Sequence, residues 1–132
     1  MLLKWDDSFL VGVEKIDNQH KELFEIINKF LTAMIEGKGK SEITTTLNFL
    51  ESYVIKHFNE EERLLIDRNK EAYDIQFQQH EAFKNEIIKL KDRFSKSGIT
   101  STLVIETQKS VTSWCRNHII KIDKELASFM KD

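Results

Sequence analysis

The residues best suited to chemistry in this sequence are its four histidines, His20, His57, His80 and His118, with two carboxylates close to them, Glu61 and Asp123. His57 and Glu61 stand four residues apart in His57-Phe58-Asn59-Glu60-Glu61, a spacing that puts both side chains on one face of a helix. Imidazole and carboxylate together suit iron, zinc, copper or manganese, and a carboxylate can hold one ion or bridge two. Asp123 follows His118 by five residues, which on a regular helix leaves the two about 140° apart. They converge only if the helix ends or loosens between them. An isolated His-x-x-x-Glu is most often an exposed pair, so the decisive question is whether the elements that carry these groups turn them inward.

Four helical stripes answer it. Asp17 or Asn18 can cap a helix over about 18–36 whose apolar positions Leu23, Phe24, Ile26, Ile27, Phe30, Leu31 and Met34 recur at helical spacing until Gly37 and Gly39. His20 lies one heptad before Ile27 and two before Met34, so it extends that stripe. A second helix, 41–65 with Ser41 as its cap, carries Ile43, Leu47, Leu50, Val54, His57, Glu61 and Leu64 in alternating steps of four and three. A third, 70–94, runs Tyr73, Gln76, His80, Phe83, Ile87, Leu90 and Phe94, and Ser95 to Gly98 breaks it. The fourth, 101–119, runs Val104, Thr107, Val111, Trp114 and His118, and a short helix is expected over 122–130.

Each histidine therefore falls on the inward stripe of a different helix. If a seam takes about two positions in seven, four independent histidines would all land there on the order of once in a hundred. One buried histidine is ordinarily a satisfied core residue, but four beside a carboxylate are costly to bury without a common partner for their lone pairs and charge. A metal is such a partner.

The whole chain fits one such domain, 1–132. Its 132 residues are enough for one sizeable core, and 40% hydrophobic and 32% charged residues with no proline suit a helical globular protein. Residues 1–16 carry Trp5, Phe9, Leu10, Val11 and Val13, too apolar for a free tail, and read as an arm laid across the domain. The expected fold is all-α, an antiparallel up-down four-helix bundle with an N-terminal arm and a short C-terminal helical segment. A formal charge of -2 gives no basic excess for nucleic acid or anionic membrane, and no apolar run reaches spanning length. The N-terminus meets acidic residues too early for a secretory signal, so the cytoplasm is the expected compartment. The lone cysteine, Cys115, excludes an internal disulfide framework.

With these residues in place, the sequence resembles the hemerythrin family, its bacterial single-domain branch, the bacteriohemerythrins, most closely. The likeness rests on Trp5, Gly12-Val13, Ile16-Asp17-Asn18-Gln19-His20, His57-Phe58-Asn59-Glu60-Glu61, His80, Trp114, His118-Ile119 and Asp123, and covers nearly the whole chain. It implies a non-haem di-iron centre of two iron ions, oxo- or hydroxo-bridged, inside a four-helix bundle. By the same resemblance Glu61 and Asp123 bridge the metals, His20 and His57 bind one iron, and His80 and His118 bind the other. The ferritin-like alternative uses Glu-x-x-His pairs, and no histidine here has a glutamate three residues before it.

One position departs from that pattern. The family has a fifth histidine four residues before the one matched by His80, and here that position is Gln76, still on the seam. Three roles are open to it: a weak ligand through its carbonyl oxygen, a hydrogen-bond partner of a water, or a bystander that leaves the iron one ligand short. Cys115 also departs, since a large aliphatic residue is usual after this tryptophan. The plainer reading is a small buried hydrophobe, and a redox role is the alternative.

The expected function is reversible dioxygen binding for carriage, storage or delivery, in an apolar pocket of Leu23, Phe24, Ile27, Trp114, Cys115 and Ile119 that excludes water. Dioxygen or another small diatomic is the expected partner, and the sequence names no redox partner. Two alternatives stay open: a di-iron redox enzyme acting on dioxygen, peroxide or nitric oxide because Gln76 leaves a second position free, and an oxygen or iron sensor.

Overall fold

A computed structural model describes residues 3–130, so the first two residues of the expected arm and the last two of the expected domain lie outside the described residues. The chain is an all-α four-helix bundle built from α1 (Glu14–Ile35), α2 (Lys40–Ile66), α3 (Lys70–Ser97) and α4 (Ser101–Asn117). Connections of only a few residues force each helix to reverse against its predecessor. Side-chain pairs follow that reversal. Gln19 meets Glu60 while Glu22 meets Tyr53. Glu61 meets His80 while Glu51 meets Lys91. Gln76 meets Asp123 while Arg93 meets Glu106.

The stripes read from the sequence are largely the buried faces, but Ile26, Leu64, Tyr73, Val104 and Trp114 are only partly buried, and their neighbours Leu65, Ala72, Leu103 and Cys115 take core positions. Leu23, Phe24, Ile27, Phe30, Leu31 and Met34 from α1 meet Ile43, Leu47, Leu50, Val54 and Phe58 from α2 in one core with Phe83, Ile87, Leu103 and Val111. Each fully buried large side chain of this kind contributes about 1.5–3 kcal/mol. No helix among the described residues is long and apolar enough to cross a membrane.

Three expectations need correction. First, α1 begins at Glu14 rather than near 18, because Asp17 does not cap it. The Asp17 carboxylate instead reaches back from the first turn and accepts the backbone N–H groups of Val11 at 2.8 Å and Gly12 at 3.3 Å. The arm is thus shortened and pinned; Trp5 and Phe9 pack on Phe24 with ring centroids 5.2 and 4.9 Å away. Second, Ser41 is not the cap of α2. Gly39 holds that position with no side-chain bond, whereas Asn69 and Thr100 cap α3 and α4 by accepting the N–H of Ala72 and Leu103. The helix α3 also runs past 94 to Ser97, where Gly98 stops it at a φ of +67° that other residues rarely adopt.

Third, the expected helices 101–119 and 122–130 are one continuous rod. Between α4 and α5 (Lys124–Met130) the six residues His118–Asp123 form a π-helical segment. In a π-helix the hydrogen bond spans five residues rather than four, so residues at i and i+5 share a face. The helix loosens without ending, and that wider turn brings His118 and Asp123 together.

Candidate metal centre

Six side chains converge at mid-bundle: His20 from α1, His57 and Glu61 from α2, His80 from α3, and His118 and Asp123 from the two ends of the π-helical segment. All are at most 3% exposed. Every imidazole turns its Nε2 inward, and the contacts fall into two sets. Glu61 Oε2 lies 3.3 Å from His20 and 3.5 Å from His57, while its Oε1 lies 3.1 Å from His80. Asp123 Oδ2 lies 3.1 Å from His20, and its Oδ1 lies 3.1 Å from His118. Each carboxylate thus gives one oxygen to the His20–His57 side and the other to the His80–His118 side.

Several of these atoms are close without being hydrogen-bonded, although His20 Nε2 does bond to Glu61 Oε2. Of the seven buried side-chain nitrogen and oxygen atoms that lack a hydrogen-bond partner among the described residues, four face the centre, His80 Nε2, His118 Nε2, Glu61 Oε1 and Asp123 Oδ2; the others are Gln76 Oε1 and the outward Nδ1 atoms of His20 and His118. Buried polar groups are seldom left so, because each unpaired one costs about 1–3 kcal/mol. A cation resolves the pattern. Two donors each about 2.1 Å from one ion and at right angles stand about 3.0 Å apart, close to the spacings found. Two overlapping groups are compact enough to hold an ion, Glu61, His80, His118 and Asp123 in one and His20, His57 and Glu61 in the other.

The electrostatics follow from packing charge into a dry interior. Burial lowers the pKa of His20, but hydrogen bonds to Asp123 and Glu61 outweigh it and push the pKa up to about 10. His57 goes the other way, down to about 4, because burial outweighs the attraction of Glu61 and His20 repels a second positive charge. Burial and mutual repulsion favour protonation of Glu61, and the surrounding imidazoles reverse this and hold it ionised. Asp123 is held well below the ordinary carboxylate range: its burial is offset chiefly by His118 and His20.

Groups outside the inner set fix the rings, and sequence reasoning missed them. His57 Nδ1 donates to Gln19 Oε1 at 2.9 Å, and the Gln19 amide nitrogen in turn donates to Glu60. Since a carboxylate only accepts, this orients the Gln19 amide and places the proton of His57 on Nδ1, leaving Nε2 a free lone pair. His80 Nδ1 donates to Glu62 Oε2 at 2.7 Å with the same result. Such outer acceptors are what a metal-binding imidazole ordinarily has. Rings complete the walls: Phe58 stacks on His80 at 3.8 Å and Trp114 on His118 at 4.4 Å, with Phe83 behind Trp114. The available signal was Gln19 and Glu62 each lying next in sequence to a seam residue.

Of the residues expected to form the oxygen pocket, Leu23, Phe24, Ile27, Cys115 and Ile119 are buried in the core, and Trp114 is partly buried against His118. Phe24 also lies under the arm aromatics. The Cys115 thiol is fully buried, which pushes its pKa far up and keeps it neutral. Gln76 is fully buried and donates its amide nitrogen to Asp123 Oδ1, the oxygen that faces His118.

Comparison with known proteins agrees with this arrangement. Residues 11–130 match the family model described as the hemerythrin HHE cation binding domain. A bacteriohemerythrin of Clostridium acetobutylicum is 30% identical over 127 residues, covering 92% of this chain and 95% of its own. One from Pseudomonas aeruginosa is 30% identical over 117 residues, 89% of this chain and 74% of its own. A myohemerythrin of Theromyzon tessulatum is 28% identical over 116 residues, 88% of this chain and 83% of its own. With inward imidazoles from four helices, two shared carboxylates and a match over nearly its full length, the chain belongs to the hemerythrin family.

Proposed function

We propose that this protein binds dioxygen reversibly at two iron ions held between its four helices. We assign His20 and His57 to one iron, His80 and His118 to the other, and Glu61 and Asp123 to both. The observation that carries the assignment is the division of each carboxylate, one oxygen toward each histidine pair. When bound, the iron pair supplies the electrons and the coordination position by which dioxygen is taken up and released.

The chain's own residues do the rest. Gln19 and Glu62 hold the Nδ1 protons of His57 and His80, so that Nε2 is available to metal. Phe58 and Trp114 lie flat against two of the rings and fix their planes. Leu23, Phe24, Ile27, Trp114, Cys115 and Ile119 exclude water from the pocket, which strengthens electrostatic contacts within it and suppresses irreversible side reactions. The dry setting favours carriage, storage or delivery over turnover. A cytoplasmic location, with electrons drawn from a separate reductant, belongs to the same reading.

The test is metal analysis joined to absorption spectroscopy. Two irons per chain should be found, and anaerobic reduction followed by air should give a spectrum that reverses on removing oxygen. Immediate irreversible oxidation would exclude carriage, and one metal or none would exclude the paired centre.

A further inference from the structure

Gln76 is the one polar side chain of the cluster with no place in the ligand assignment above. It projects from α3 one turn before His80, is fully buried, and spends its amide nitrogen on Asp123 Oδ1. A carboxylate can only accept, so the nitrogen must face Asp123 and the carbonyl must face away. A primary amide binds metal through oxygen, and the nitrogen turned toward Asp123 cannot serve. Its Oε1 has no partner among the described residues, and the side chain is fully buried. Leaving a buried carbonyl unpaired is unfavourable, so the site calls for something that donates a proton to it.

The donor inventory says where. The His80–His118 half holds two imidazoles and one oxygen from each carboxylate, the same complement as the His20–His57 half. Two histidines with carboxylate is a donor set that leaves open positions at non-haem iron. No third imidazole closes either half, since the chain has four histidines and all are used.

We propose that the His80–His118 half carries a second exchangeable ligand position, which takes water or another small proton-bearing ligand, and that Gln76 is its positioning residue. The amide nitrogen holds Asp123 in place, and the carbonyl receives a hydrogen bond from a proton-bearing ligand such as water, hydroxide or hydroperoxide. Small size is imposed by the packing. Phe58 stacks on the His80 ring and Trp114 on the His118 ring, and Gln76 itself fills the third side.

The inference rests on the di-iron reading, and one set of measurements separates the two. Iron content per chain is read first, then the number of azide ions bound per centre, from spectroscopic titration of the oxidised protein. The parent chain should bind two irons and two azides. Gln76→His should keep both irons and bind one azide, because an imidazole closes the position. Gln76→Met, close in size and unable to hydrogen-bond through an amide, should keep both irons and both azides, because azide has no proton to give the carbonyl, and should shift the spectrum of the azide-free centre, where the water-derived ligand loses its hydrogen bond. Fewer than two irons in the parent chain overturns the di-iron reading itself. Two irons with a single azide in the parent overturns the second position, and loss of an iron in Gln76→Met makes Gln76 a ligand and overturns its positioning role.

Discussion

Glu62 offers the sharpest test of how the outer groups serve the centre. Its carboxylate accepts the His80 Nδ1 proton at 2.7 Å and is 11% exposed, so the bond is short, charge-assisted and nearly dry. A hydrogen bond to a charged group contributes about 1.5–3 kcal/mol and a neutral one about 0.5–1.5. Glu62→Gln keeps the shape and an acceptor but loses the charge, so it should cost about 1 kcal/mol, roughly fivefold in metal affinity. Glu62→Leu removes the acceptor and leaves the Nδ1 proton unpaired. It should weaken binding about 10–100-fold, the usual range for outer-sphere partners. Competition against a chelator under anaerobic conditions measures both, with circular dichroism to show that the bundle is intact. The loss should fall on one of the two metals, because among the described residues of the cluster the Glu62 carboxylate bonds to His80 alone. Gln19→Ala, which frees His57, should weaken the other. If Glu62→Leu binds both metals as tightly as the parent, or weakens both equally, the idea that each outer acceptor prepares its own half is wrong.

Three further outcomes are expected. Asp17→Ala removes the acceptor for Val11 and Gly12 and should destabilise the fold by about 2–3 kcal/mol, the value of a buried charge-assisted pair; chemical denaturation gives the cost, and a red shift in tryptophan emission reports the freed arm. Cys115 has no exposure and a pKa pushed up by burial, so at neutral pH it should resist alkylation in the native protein and react once denatured; rapid native labelling would refute its burial. Deleting Lys121, exposed in the middle of the π-helical segment, leaves His118 and Asp123 four residues apart, about 40° from alignment on an α-helix. That variant should still hold two metals by elemental analysis, and loss of either would show that the extra residue does more than restore register.

Steps of three and four in the apolar pattern make the four helices legible, and the same pattern places His57, Glu61, His80 and Gln76 on inward faces. What escaped the sequence has physical causes. Asp17 looked like a helix cap because acidic residues are good caps, yet its carboxylate is committed to two amides of the arm, so α1 starts a turn earlier. The spacing of five between His118 and Asp123 argued against a shared face only because a regular helix was assumed. Nothing in His118-Ile119-Ile120-Lys121-Ile122-Asp123 marks the backbone as π-helical apart from the need to bring its two end residues together. Gln19 and Glu62 lie beside the seams, and their role depends on which way an imidazole edge turns.

The widened turn also ties the centre to the chain's C-terminal helix. Of the two carboxylates of the centre, Asp123 is the nearer in sequence to the C-terminus, and the α-helix that follows it is only seven residues long, held down by Leu126, Ala127 and Met130 and packed on α2. It continues the rod without a break, and those three side chains dock its last turns. Asp123 gives one oxygen to each histidine pair, so the docking of Leu126, Ala127 and Met130 against the bundle also holds this carboxylate in place between both halves of the centre.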